Sequence, residues 1–146
     1  MSASTSGEQP SPLLLLLPLL TRFLSAPAHI SARLTRTQLL ILTALSYRES
    51  LHMSQLASYL SFSKEQATRA VAPLAELGLL ERFEQPENRT KVFLRLTPEG
   101  ASLAAELREQ FSSQLRARTE QLLTPHEQQE LCQAASTLVR LLSKLG

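Results

Sequence analysis

The sequence predicts a mainly α fold with one small β-hairpin, and three observations carry that reading. Apolar residues recur at three- and four-residue spacing through most of the 146 residues, as amphipathic helices require. After Gly78 the period shortens to two in the runs Leu80-Glu81-Arg82-Phe83-Glu84 and Val92-Phe93-Leu94-Arg95-Leu96, the alternation of strands. All 13 acidic residues are Glu, and Gly numbers only 4, a composition that favours helix over turn.

The elements follow in order. Residues 1–10, rich in Ser, Thr, Gly, Gln and Pro, predict a disordered lead-in. A first helix is expected over about 11–25, its Leu positions too dense for a solvent-facing helix, with Pro27 as breaker. A second helix fits Thr37 to Tyr47 through Leu39, Leu40, Leu42 and Leu45. A third fits Met53 to Leu60, and Ser61-Phe62 makes a turn. Ser63 is an N-cap with Gln66 three residues later, a capping box, and the helix it starts runs to Leu77, where Gly78 ends it. Gln85 to Lys91 link the two strands as a polar hairpin loop. Thr97-Pro98 then opens a long helix to about Leu123, with Thr as N-cap and Pro at the first turn. Thr124-Pro125-His126-Glu127 repeats the device, and a last helix runs to about Lys144.

Paired short helices, a tight turn and a following hairpin are the order of a winged helix-turn-helix, flanked here by N- and C-terminal helices. The expected division is a lead-in at 1–10, an N-terminal dimerisation helix and linker at 11–35, a winged helix-turn-helix DNA-binding domain at 36–97, and C-terminal dimerisation helices at 98–146.

Net charge, +2, does not by itself argue for nucleic acid, but its distribution does. Between Arg33 and Arg95 stand nine Arg or Lys against six Glu, and five of the nine lie in Lys64–Arg69 and Arg89–Arg95. In a winged helix the second helix of the pair enters the major groove with its N-terminal residues on base edges, while the wing tracks the backbone or the minor groove. Ser63, Lys64, Gln66, Thr68 and Arg69 on that helix, Ser54 and Gln55 at the start of the helix before it, and Asn88, Arg89, Thr90 and Lys91 on the wing are the candidate DNA contacts. Gln reads adenine and Arg reads guanine in bidentate fashion.

Other function classes find little. His29, His52 and His126 are scattered, with no spacing that suits a metal. No phosphate-binding Gly loop and no nucleophile–base constellation is present, so the expectation is no cofactor and no enzyme. The single Cys132 permits no intramolecular disulfide and fits a reducing, cytoplasmic setting, where it is expected as a small buried hydrophobe. The apolar run Leu13–Leu20 is too short to span a bilayer and lacks a preceding basic segment, so no membrane partner is expected.

Read together, Thr37-Gln38, Ile41-Leu42, Leu45, Gln55-Leu56-Ala57, Leu60, Ser63, Thr68-Arg69, Leu74, Gly78-Leu79-Leu80-Glu81-Arg82, Pro86, Val92, Leu96-Thr97 and Gly100 resemble the MarR family of bacterial transcriptional regulators, over about 36–103. The resemblance implies a homodimer whose first and last helices interlock. It implies double-stranded DNA as partner, at a pseudo-palindromic operator. It also implies regulation, in many members by small aromatic or other hydrophobic effectors held between the dimerisation and DNA-binding parts, where His29, Arg33 and Tyr47 are candidates. A ligand-responsive repressor is the expected function. The alternative is a winged-helix protein-interaction module with weakened or lost DNA binding.

Three departures from the family pattern stand out. Asn88 and Thr90 occupy the wing positions where the family carries Asp and then Arg. Pro73 lies inside the recognition helix, where a kink is expected. His52 falls where a Ser or Thr cap is expected.

Overall fold

A computed structural model describes residues 12–23 and 28–145. The lead-in, the breaker at Pro27 and the residues beside it lie outside the described residues. The chain order is α1 (Pro12–Phe23), α2 (Ala28–Ser31), α3 (Arg36–Ser46), β1 (Leu51–His52), α4 (Met53–Tyr59), α5 (Lys64–Glu76), β2 (Leu80–Gln85), β3 (Asn88–Leu96), α6 (Pro98–Leu122) and α7 (Pro125–Leu142). No described helix is long and apolar enough to cross a membrane.

Caps set most of these boundaries. Thr35, Ser63 and Thr124 each accept from the backbone N–H three residues on, and the Gln38, Gln66 and Glu127 side chains return the bond. Each such box satisfies two amide groups that a helix start otherwise leaves unpaired. Gly78, at φ 71, ends α5. Its N–H bonds the Ala75 carbonyl and the Leu79 N–H bonds the Leu74 carbonyl, both at 3.0 Å, the paired closure that a left-handed residue makes possible. Pro73 lies within α5, whose helical course continues past it. The Arg69 carbonyl simply has no N–H four residues ahead to receive.

The sheet has three strands rather than the two of a hairpin, in the order β1-β3-β2, all antiparallel. The extra strand is two residues long, pairing Leu51 with Leu94 and His52 with Phe93. The wing turn is also tighter than expected. β3 already begins at Asn88, so only Pro86 and Glu87 form the tip. The pairing steps from Glu84↔Val92 to Gln85↔Asn88, which leaves Arg89, Thr90 and Lys91 bulged out of the ladder without partners in β2. A bulge bends its strand and re-aims side chains.

The core sits beneath the helix pair and the sheet. Ile41, Leu42, Leu56, Val71, Leu74, Leu80 and Leu94 are fully buried, each stabilising the fold by about 1.5–3 kcal/mol. Ala67, Val71 and Leu74 bury one stripe of α5, which leaves Lys64, Thr68 and Arg69 facing outward. The first turns of α6 join this core through Ala104, Leu103 and Leu107.

At Gly100 a side chain cannot be accommodated. A Cβ built there would stand 1.7 Å from the Leu79 carbonyl oxygen. The Thr97 hydroxyl donates to the Gly78 carbonyl at 2.5 Å, and the Thr97 N–H to the Leu79 carbonyl at 3.1 Å. The end of α5 and the start of α6 are thus clasped backbone to backbone.

The outer helices are built differently. α7 has no buried residue, and Leu131, Val139, Leu141 and Leu142 on it are exposed, as are Leu13, Leu14, Leu15, Leu19 and Leu20 on α1. Cys132, expected to be buried, is exposed, because α7 extends away from the core that would have covered it.

Candidate nucleic-acid interface

A cleft of about 180 Å³ opens where α4, α5 and the wing meet. β1 brings His52 to its rim, the start of α4 supplies Ser54, and α5 supplies Lys64 and Thr68 one turn apart. Arg82 comes from β2, and Thr90 and Lys91 come from the bulge in β3. Three permanent cations and three hydroxyls converge, and no carboxylate lines the site. Among the described residues no ion pair engages Lys64, Arg69, Arg82, Arg89 or Lys91. Unpaired cations facing one concavity concentrate positive potential in it.

The candidate contacts fall into two groups. Ser54, Lys64, Thr68, Thr90 and Lys91 share the cleft. Gln55, Ser63, Gln66, Arg69, Asn88 and Arg89 lie outside its lining. Capping occupies several of the latter. Ser63 Oγ accepts from the Gln66 N–H and Gln66 Oε1 from the Ser63 N–H, while Gln55 Oε1 accepts from the His52 N–H. A Gln held this way keeps its amide NH₂ but not its carbonyl, and bidentate adenine reading uses both. Arg69 and Arg89 are exposed and uncommitted.

On the wing, the Thr90 hydroxyl donates to Asn88 Oδ1 at 2.9 Å. Asn88 and Thr90 therefore brace each other where an acid and a base would otherwise stand. Arg95, counted with the basic stretch on sequence grounds, is withdrawn from it. It pairs with Glu81 and lies over the Phe83 ring, 4.5 Å from the centroid.

His52 and Arg82 were not among the sequence candidates. His52 caps α4, with the Gln55 N–H donating to its Nδ1 at 3.2 Å, so the imidazole fills the place of the expected Ser or Thr. Its ring meets Phe93 edge-on, centroids 5.9 Å apart. Burial, then the nearby Lys91 charge, hold its pKa below the ordinary 6.5. The ring is therefore neutral at pH 7, and because Nδ1 accepts, its proton resides on Nε2. A two-residue strand gives no periodicity, so no local signal places His52 here. Arg82 is signalled only by its alternation out of β2.

A second and larger cleft, about 640 Å³, lies between α2, the end of α5 and the start of α6. His29 and Arg33 line it with Leu77, Leu79, Ser102 and Glu106, and His29 Nε2 lies 2.8 Å from Glu106 Oε1. Tyr47 is not part of its lining. Tyr47 is 72% exposed, and Arg108 lies 5.7 Å from its ring centroid. The three candidate effector residues are thus divided, two at the cleft and one outside it.

Comparison with known proteins agrees with this architecture. The MarR family model matches residues 34–92. The HTH-type transcriptional regulator YvnA of Bacillus subtilis, itself uncharacterized, is 32% identical over 94 residues, which are 64% of this chain and 59% of that protein. The chain thus spans under two thirds of that relative's length. Among solved structures, NadR in complex with 4-hydroxyphenylacetate superposes with a TM-score of 0.75 at 24% identity, covering 100% of both chains. Streptococcus pneumoniae FabT in complex with DNA superposes with a TM-score of 0.66 at 15% identity, covering 91% of this chain and 96% of that one. At such identities these likenesses establish the fold.

Proposed function

Residues 34–92 make this chain a member of the MarR family, and on that premise we infer that it is a homodimeric transcriptional regulator that binds duplex DNA. The observation that carries the inference is the cleft between α5 and the wing, where Lys64, Arg82 and Lys91 converge unpaired with no carboxylate among them. A polyanion of fixed spacing is what such a site accommodates. The Lys64 end of α5 supports its insertion into the major groove, with Arg69 on the exposed face to meet bases.

The exposed Leu and Val positions of α1 and α7 support a second copy as partner. An 18-residue helix with no buried residue draws little stability from its own chain, and an isologous pairing of two such helices would supply the missing burial. Two recognition helices related by a two-fold axis then fit a pseudo-palindromic operator.

The larger cleft supports regulation by a small molecule. It touches Leu77 and Leu79 beside the α5 terminus and Pro98 and Ser102 on α6, so a ligand there would bear on the clasp that orients α5. FabT was solved with DNA and NadR with an aromatic acid, which supports both partner classes. Repression in the cytoplasm, relieved by a small aromatic or other hydrophobic effector, is the reading that joins these features.

Selection from a random duplex pool tests it. Retained DNA is expected to converge on an inverted repeat with half-sites about one helical turn apart. A retained pool indistinguishable from the input would contradict operator recognition.

A further inference from the structure

The donors in the α5–wing cleft are not equivalent. The Thr68 hydroxyl donates to the Lys64 carbonyl at 2.9 Å, and the Thr90 hydroxyl to Asn88 Oδ1, also at 2.9 Å. Both protons are spent, so these hydroxyls present lone pairs to the cleft, and an anion cannot use them. The Ser54 hydroxyl has no such commitment. The nitrogen donors that remain are Lys64, Arg82, Lys91 and His52.

His52 differs from the other three. Its Nδ1 is fixed as an acceptor by the Gln55 N–H, and Phe93 and the β1–β3 pairing hold the ring in place. Nε2–H is therefore a donor of settled tautomer on a ring that lines the cleft. The lysines, by contrast, are flexible point charges. Arg82 projects from the centre of β2, opposite Leu94 in the pairing.

We propose that this cleft seats one phosphate of the DNA backbone in each protomer, with His52 Nε2–H and the Arg82 guanidinium as its orienting donors and Lys64 and Lys91 as the neutralising charge. The proposal rests on the DNA-binding reading above and adds two residues that neither helix-turn-helix position nor wing charge would have assigned. A rigid neutral donor beside mobile cations fixes where the phosphate sits. That in turn sets the register of α5 along the groove, since backbone contacts position and base contacts specify.

The test uses the full chain and a short duplex recovered by pool selection, whose phosphates are replaced singly by neutral methylphosphonates. Wild-type protein is expected to lose about tenfold in affinity at one phosphate per half-site, as when a charge-assisted hydrogen bond is removed. His52→Asn retains a capping oxygen for α4 but lacks the distal donor. It is expected to bind the unmodified duplex roughly tenfold more weakly with an unchanged salt slope, and to be indifferent to the modification at that phosphate. Arg82→Gln is expected to flatten the slope by about 0.9 per half-site. His52→Ser, also a capping residue, serves as a second variant, and a melting temperature near that of the wild type in either variant shows that the fold is retained.

Wild-type affinity that falls with salt, together with both His52 variants remaining sensitive at the same phosphates as wild type, would overturn the phosphate seat and leave DNA binding standing. Wild-type protein that retains no duplex at low salt would overturn both.

Discussion

His52 carries two demands that favour the same protonation state. Nδ1 must be unprotonated to cap α4, and burial with the Lys91 charge disfavours the imidazolium. The folded pKa therefore lies below 6.5, so below that pH the unfolded chain binds the proton in preference to the folded one. The stability contributed by neutral His52 is complete above about pH 6.5 and declines as pH falls beneath it. Melting temperature measured from about pH 7.5 down to 5.5 is expected to fall more steeply for wild type than for His52→Asn. Parallel curves would contradict this account of the cap.

Arg69 is the strongest base reader at the same scale. It is exposed on α5, and no ion pair engages it. Arg69→Ala is expected to cost about 1–3 kcal/mol of binding, concentrated at one operator position. A loss spread equally over all sequences would make Arg69 a phosphate contact.

At the scale of elements, the clasp between α5 and α6 is the joint on which the larger cleft rests. Gly100→Ala drives a methyl into the Leu79 carbonyl and is expected to cost about 3 kcal/mol. Gly78→Ala meets no atom within 4 Å but places a side chain at positive φ, at about 1–2 kcal/mol. Denaturant unfolding with a common slope separates the two, and an equal, small loss for both would show that the joint is not strained by Gly100.

The helices were legible because each announces itself locally. Thr35, Ser63 and Thr124 carry their capping partners three residues on, and Gly78 marks the one left-handed stop. The sheet was only half legible. β1 is two residues of a strand whose only support is Leu94 and Phe93, more than forty positions away, and no period exists in two residues. The same remoteness concealed half of the site. Lys64, Thr68 and Lys91 were visible as basic or polar helix-start and wing residues, whereas His52 reaches the cleft through β1. The bulge at Arg89–Lys91, which aims Thr90 and Lys91, depends on cross-strand register and leaves no mark in composition.

At the scale of the whole molecule, α1 and α7 present apolar surface that the described chain does not cover, with Val139 67% exposed. Replacing Val139 and Leu131 by Glu is expected to shift the chain from dimer to monomer in sedimentation velocity, because buried charge in an apolar interface is costly. The helix-turn-helix core, which does not include α7, should keep its helical circular dichroism. A wild-type chain that sediments as a monomer at every concentration would remove the two-fold operator from the account.

Duplex binding through the α5–wing cleft is the central claim, and the salt dependence of binding tests it most directly. Two protomers with three cleft cations each imply about six neutralised phosphates, so affinity should fall about a thousandfold between roughly 50 and 200 mM salt. A variant with Lys64, Arg82 and Lys91 all changed to Gln should lose most of that slope. Wild-type binding that does not respond to salt, or a triple variant with the wild-type slope, would contradict it.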